Sequence, residues 1–310
     1  MKPKILLTGK NGQVGYELTR LLPQMGKLVA VGREELDLLN PAKIRQTIRK
    51  VRPDVIVNAA AYTAVGQAEK DEAVARAVNA DAPAVMAEEA KKIGAALVHY
   101  STDYVFDGSK NAPYTEDDAP NPLNVYGKTK LAGDLAIQHS GVPHLILRTA
   151  WVYGIRGRNF LLTILRLATE REELRIVNDQ TGAPTWCREI AQATMRILLQ
   201  LLQKQSRMTA FSNVSGIYNL TAEGETTWFG FAEAILEQAA KTAPSTPWFV
   251  AATGGRAIIA KRIVPISAKE FSVATCRPAF SVLSNSRCQR TFGFALRDWK
   301  DQLVSAMHES

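Results

Sequence analysis

Over the first 150 residues, short and continuously apolar runs alternate with stretches in which apolar positions recur every three or four residues. Residues 4–8, Lys-Ile-Leu-Leu-Thr, read as a buried strand, followed by glycines and a helix reaching about Leu22. Residues 28–31 form a second strand and 41–51 a second helix, and the runs 54–59, 95–101 and 144–149 continue the series. Strands that are apolar throughout and separated by helices predict a parallel sheet covered on both faces. After about Trp151 the pattern loosens. A helical region at 159–171, a strand near 175–177 and a long apolar helix at 188–203 precede a Ser/Thr/Asn-rich stretch at 206–216 that reads as a loop. Pro244, Pro247 and Thr253-Gly254-Gly255 punctuate a weakly patterned region, and 299–307 reads as a closing helix. The expected fold is α/β: a doubly wound parallel sheet over residues 1–150, and a smaller α/β lobe over 151–310 from which some segments return to the sheet.

The 310 residues are 46% hydrophobic and 22% charged, as in an ordinary globular protein. No apolar run approaches the ~20 residues a bilayer span needs, and the N-terminus lacks the apolar core of a signal peptide. No membrane insertion and a cytoplasmic location are therefore expected. Cys187, Cys276 and Cys288 are odd in number and far apart, which suits reduced structural thiols. The four histidines make no ligand pattern, so no metal is expected. The net charge of +8 comes from Lys and Arg dispersed among acids. That distribution suits attraction of a small anionic ligand and not nucleic acid.

The first strand runs into Gly9-Lys10-Asn11-Gly12-Gln13-Val14-Gly15. Glycines here allow a tight turn and close approach of backbone N–H groups to a diphosphate, and the helix N-terminus adds a partial positive charge. The spacing is G-x-x-G-x-x-G in the strand, turn and helix context of a Rossmann-type dinucleotide site. Where an acid after the second strand would bind the ribose hydroxyls of NAD, the chain has Val31-Gly32-Arg33. With no carboxylate to repel a 2′-phosphate and Arg33 able to bind it, NADPH is the expected cofactor, with NADH as the alternative. Asp37 and Leu38 follow on the adenine side. Small residues in Asn58-Ala59-Ala60-Ala61-Tyr62-Thr63 let a flat cofactor pass over the third strand end. The fourth strand brings Tyr100-Ser101-Thr102-Asp103 to the same edge, where a hydroxyl can bond a substrate oxygen or cap the next turn.

Tyr126 and Lys130 stand four apart, and positions i and i+4 share a helix face. A cation fixed beside a phenol, whose free pKa is ~10, favours the phenolate, so the pair predicts a tyrosine tuned for acid/base work. The spacing also arises on solvated helix faces. Its weight comes from the strand-end residues around it.

In order, the glycine motif, Asn-Ala-Ala-Ala-Tyr-Thr, Ser101-Thr102-Asp103-Tyr104-Val105-Phe106, Asn124-Val125-Tyr126-Gly127-Lys128-Thr129-Lys130 and Arg148-Thr149-Ala150-Trp151-Val152-Tyr153-Gly154 resemble the extended short-chain dehydrogenase/reductase superfamily. Within it, they resemble the dTDP-4-dehydrorhamnose reductase family. The likeness continues through Asn178-Asp179-Gln180-Thr181-Gly182-Ala183-Pro184-Thr185 to Arg277-Pro278. It implies hydride transfer from NAD(P)H to the C4 ketone of dTDP-4-dehydro-L-rhamnose, giving dTDP-L-rhamnose for cell-surface polysaccharide. It further implies that Tyr126 donates the proton, that Lys130 holds the nicotinamide ribose and lowers the tyrosine pKa, and that Thr102 bonds the reacting oxygen. Gly9, Gly12, Gln13, Val14 and Gly15 would face the diphosphate, Arg33, Asp37 and Leu38 the adenosine, and Ala61, Tyr62, Thr63 and Tyr100 the nicotinamide. Thr102, Asp103 and Trp151 would line the sugar, although Trp151 read alone is a core aromatic. Arg277 could meet a phosphate or serve the fold.

The chain also departs from the pattern. Gly66-Gln67 stands where the family commonly has an Asp and a basic residue, which leaves the sugar's fine structure open. Some members hold magnesium at a dimer contact through glutamates; Glu17 matches one position, but 284–287 supplies no acid, so the resemblance is compatible with a homodimer and implies no metal. Two alternatives remain. One is a reductase or epimerase of another nucleotide-linked 4-keto-6-deoxy sugar; the missing Asp-Glu pair after Thr102 disfavours a dehydratase. The other is a non-catalytic regulatory subunit.

Overall fold

The computed structural model describes residues 2–271 and 275–308. Six strands, β1 (Lys4–Thr8), β2 (Lys27–Val31), β3 (Val55–Asn58), β4 (Ala96–Thr102), β5 (His144–Thr149) and β6 (Gly216–Asn219), form one parallel sheet in the order β6-β5-β4-β3-β1-β2. Parallel strands need crossovers, and five helices provide the main cover: α1 (Gln13–Leu21), α2 (Pro41–Val51), α3 (Ala82–Ile93), α4 (Val125–Ser140) and α5 (Cys187–Leu202). Side chains alternate across the pleat, so the two faces of the sheet draw on different residues of each strand. Ile5, Leu7, Val57 and Val98 pack with Leu18 of α1 and Ile190 and Ile197 of α5. Leu6, Ile56, Leu97 and Ile146 pack on the other face with Ile44 and Ile48 of α2, Met86 of α3 and Ile137 of α4. Each such side chain contributes about 1.5–3 kcal/mol of transfer free energy, which is why the strands read as unbroken apolar runs.

The second half of the chain is divided. α5 and β6 belong to the sheet body, whereas the helices Phe160–Ala168, Trp228–Ala239, Pro247–Thr253 and Trp299–Met307 surround another apolar cluster that includes Leu161, Phe231, Trp248 and Leu303. The paired strands Glu173–Val177 and Arg262–Ile266 lie beside it.

One expectation is corrected here. The stretch 206–216 is not a loop: Arg207–Asn213 is helical, and β6 begins at Gly216. Phe211, fully buried, and the partly buried Ala210 and Val214 anchor it to the core under β5 and α5. The Ser and Thr residues that lower its helix propensity bond locally, Ser206 Oγ to Thr209 Oγ1 and Ser212 Oγ to the Met208 carbonyl. Tertiary burial outweighs a propensity deficit of a few tenths of a kcal/mol per residue.

The chain passes from β1 outward to β2 and then back to β3 on the other side of β1. That reversal opens a crevice at the carboxyl ends of the strands, the place where open α/β sheets take ligands.

Candidate active site

The crevice is a cavity of about 720 Å³. Five of the six strand ends contribute to it: Thr8 and Gly9 after β1, Gly32 and Arg33 after β2, Ala59, Ala60 and Ala61 after β3, Ser101, Thr102 and Asp103 at β4, and Thr149 and Trp151 after β5. Gly12, Gln13, Val14, Asp37, Leu38, Tyr62, Thr63, Tyr100, Tyr126 and Lys130 line it as well. All but one of the residues assigned from the sequence to catalysis, cofactor or sugar therefore meet in one cavity.

Gly15 is the exception. A Cβ there would lie 2.0 Å from the Gly9 carbonyl oxygen, so this glycine lets α1 press against the turn and does not face the cavity. Gly9 itself takes φ 76°, and a Cβ on it would lie 2.7 Å from the Ala59 carbonyl. Next to this turn, α1 starts at Gly12 with no side-chain cap and no acid in its first turn, so its free N–H groups and positive dipole end suit an anionic diphosphate.

Helix α4 begins where Asn124 Oδ1 accepts the Gly127 N–H at 2.8 Å, which sets Tyr126 in the first turn. Gly127 lets that turn approach the Tyr104 carbonyl, 2.2 Å from where a Cβ would stand. Tyr126 thereby reaches Thr102, with the Tyr104 ring against it edge-on at 5.8 Å. The expected lowering of the Tyr126 pKa does not occur in the chain by itself. Burial of the hydroxyl pushes it well above its ordinary value, and the Thr102 hydrogen bond offsets only part of that. Lys130 does not offset it because its ammonium is turned inward: Nζ lies 3.0 Å from His99 Nε2 and donates to the Tyr100 carbonyl at 2.6 Å.

Beneath Lys130 runs a polar ladder that the sequence reading missed. Thr8, Asn58 and His99 are register partners on β1, β3 and β4. Thr8 Oγ1 and the Ala60 N–H both donate to Asn58 Oδ1, at 2.6 and 3.3 Å, which turns Asn58 Nδ2 towards His99 Nδ1 at 2.9 Å. The His99 ring proton then belongs on Nε2, facing Lys130. An amine can accept it and an ammonium cannot. That contact favours the amine and the Asp134 carboxylate the ammonium, and burial brings the Lys130 pKa down to about 8. Below it, Asp134 is fully buried, takes a 2.6 Å bond from Ser101 Oγ and stands 3.8 Å from Arg148 Nε.

On the other wall, Asp103 is 2% exposed and receives the Thr102 hydroxyl at 3.0 Å. Burial pushes its carboxyl up to about 7. Thr102 also accepts the Tyr104 N–H at 3.2 Å, so it caps a turn and lines the cavity at once. Trp151 is not a core aromatic. It lies half-buried at φ 44°, in the left-handed region, with its indole stacked on Trp228 at 3.4 Å. Trp228 and Arg277 line this cavity and also a neighbouring one of about 570 Å³ that includes Phe160, Arg171, Arg175 and Phe271. Gly66 and Gln67 lie in the short helix Val65–Ala68, and only Val65 of that helix reaches the main cavity. Cys187 and Cys288 are buried, whereas Cys276 is exposed on the second cavity. Among the described residues no helix is long and apolar enough to cross a membrane.

Residues 2–310 match the sequence model of a family described as the RmlD substrate binding domain. A dTDP-4-dehydrorhamnose reductase from Burkholderia thailandensis is 46% identical over 297 residues, covering 96% of this chain and 95% of its own. One from Escherichia coli K12 is 41% identical, covering 98% and 97%. In three dimensions the chain is similar to a dTDP-4-dehydrorhamnose reductase from Bacillus anthracis in complex with NADP, with a TM-score of 0.84, 31% identity and 99% of each chain covered. With near-complete coverage on both sides, the chain belongs to the dTDP-4-dehydrorhamnose reductase family.

Proposed function

We propose that the chain uses NADPH to reduce the C4 ketone of dTDP-4-dehydro-L-rhamnose to dTDP-L-rhamnose. The observation that carries this reading is the convergence of Thr102, Tyr126 and Lys130 beside the glycine turn and the open end of α1, in a chain of this family. Residues 1–150, with α5 and β6, form the cofactor-binding body in this reading, and the rest of 151–310 forms the substrate lobe. Gly9, Gly12, Gln13 and Val14 would hold the cofactor diphosphate, Arg33, Asp37 and Leu38 its adenosine end, and Ala61, Tyr62, Thr63, Tyr100 and Lys130 its nicotinamide end. When bound, the dihydronicotinamide supplies a hydride to the carbonyl carbon.

The protein's own share is the proton. Tyr126, kept protonated by burial, gives its hydroxyl proton to the ketone oxygen as negative charge develops there. Thr102 steadies that oxygen, and a protonated Lys130 would hold the cofactor's ribose. Asp103 and Trp151 flank the sugar. The second cavity suits the nucleotide, with aromatic Phe160 and Trp228 for a base and Arg277 on the path between the cavities for the diphosphate.

Purified protein is expected to oxidise NADPH only when a 4-keto-6-deoxy sugar nucleotide is supplied, faster with the dTDP than the UDP derivative. Tight cofactor binding without turnover on any such sugar would instead favour a regulatory subunit. A pH profile adds a sharper check. Reduction needs Tyr126 neutral and Lys130 charged, and Tyr126 holds its proton well above neutrality. The alkaline limb therefore belongs to Lys130, so kcat/KM, which reports the free enzyme, should fall about tenfold per pH unit above about pH 8. A profile flat to about pH 9.5 would remove Lys130 charge from the mechanism.

A further inference from the structure

The sequence placed no acid where a 2′-phosphate would be repelled, because the residue after the Gly32 turn is Arg33. The fold brings one back. Glu35 lies exposed at the end of the turn after β2, and its Oε2 accepts the Gly32 N–H at 2.8 Å. Its other oxygen pairs with Lys10 of the glycine turn. A Cβ on Gly32 would stand 2.9 Å from Asn11 Nδ2, 3.2 Å from Glu35 Oε2 and 3.4 Å from Lys10 Cε, so four residues from two strand ends converge on one point. Gly32, Asn11 and Arg33 line the cavity there. This is the end of the second strand, where a dinucleotide's adenosine ribose is read. An outward N–H and a lysine ammonium are the partners a phosphate would seek, and here a carboxylate already holds both.

We propose that Glu35 is an internal competitor for the 2′-phosphate of NADPH: it shares Lys10 and the Gly32 N–H with that group and so sets the balance between NADPH and NADH. The inference rests on the NADP(H) reading above. NADH, lacking the phosphate, leaves the Lys10–Glu35 pair in place. NADPH recruits Lys10 and Arg33 and must displace the carboxylate. A glutamine at 35 can still accept the Gly32 N–H and keep the turn, but it releases Lys10 and removes the repelling charge.

The test is fluorescence titration of the purified full chain with NADPH and with NADH, without sugar. In Glu35→Gln the Kd for NADPH is expected to fall at least ~3-fold while that for NADH stays within ~2-fold, as befits a solvent-screened charge. In Lys10→Met the Kd for NADPH should rise at least ~3-fold, again with NADH within ~2-fold. An unchanged or raised NADPH Kd in Glu35→Gln, or equal shifts for both dinucleotides, overturns the proposal and leaves Glu35 a turn-closing residue. A wild-type chain that binds neither dinucleotide overturns the cofactor reading itself and this inference with it. Failure of sugar turnover alone touches only the substrate reading, since no sugar is present in the titration.

Discussion

Tyr126→Phe is expected to lower kcat by ~10²–10⁴-fold while the fold and the cofactor Kd stay as they are. The substitution deletes one hydroxyl. The ring keeps its edge contact with Tyr104, and the Asn124 cap that starts α4 is untouched. What disappears is the proton donor bonded to Thr102, a hydroxyl that burial holds protonated at neutral pH. Lys130 cannot replace it, because its Nζ is committed to the Tyr100 carbonyl and His99. Steady-state kinetics alongside a thermal midpoint separates the outcomes: a kcat within ~3-fold of wild type, at unchanged stability, would exclude Tyr126 as the general acid.

Asp134→Asn should cost about 3–5 kcal/mol of stability and also change the pH profile. Asp134 is 0% exposed and faces cations from two elements, Lys130 on its own helix and Arg148 on β5. Arg148, with two nitrogens that have no hydrogen-bond partner, is 1% exposed, so loss of the carboxylate leaves a buried guanidinium facing the Glu116 carboxylate, which Arg287 shares. The same carboxylate opposes the burial that lowers the Lys130 pKa. Removing it pulls Lys130 further down, and the alkaline limb of kcat/KM moves below about pH 8. Guanidinium unfolding reads the first effect and the pH profile the second. A variant of wild-type stability, or one whose limb does not move, would show that Asp134 does not balance this cluster.

Much of this was legible along the chain. The unbroken apolar runs marked β1 and β3 to β5, and two helices, Pro41–Val51 and Trp299–Met307, lie where periodicity puts them. Helix Arg207–Asn213 was hidden because its Ser and Thr residues argue against a helix, and what favours it is the tertiary packing of Phe211, Ala210 and Val214 under β5 and α5. Among the site residues, those at strand ends were readable because strand ends are where short polar phrases interrupt apolar runs. Gly15 was misjudged for the opposite reason. In sequence it resembles Gly9 and Gly12, and only the packing of α1 on the turn separates a glycine needed for space from one that faces a ligand.

Local chemistry could therefore be read from one dimension: an alternating α/β pattern, a glycine turn, hydroxyls at strand ends, and a tyrosine and lysine one helical turn apart. Each depends on neighbours within a few residues. What only the tertiary structure decided depends on register and on close approach between segments far apart in the chain. The pairing of Thr8, Asn58 and His99 across three strands orients the proton that faces Lys130. The pairing of Glu35 with Lys10 of the glycine turn, 25 residues earlier, sets a carboxylate beside the end of β2. Protonation states follow from burial and from which atom meets which, and a sequence specifies neither until the sheet is assembled.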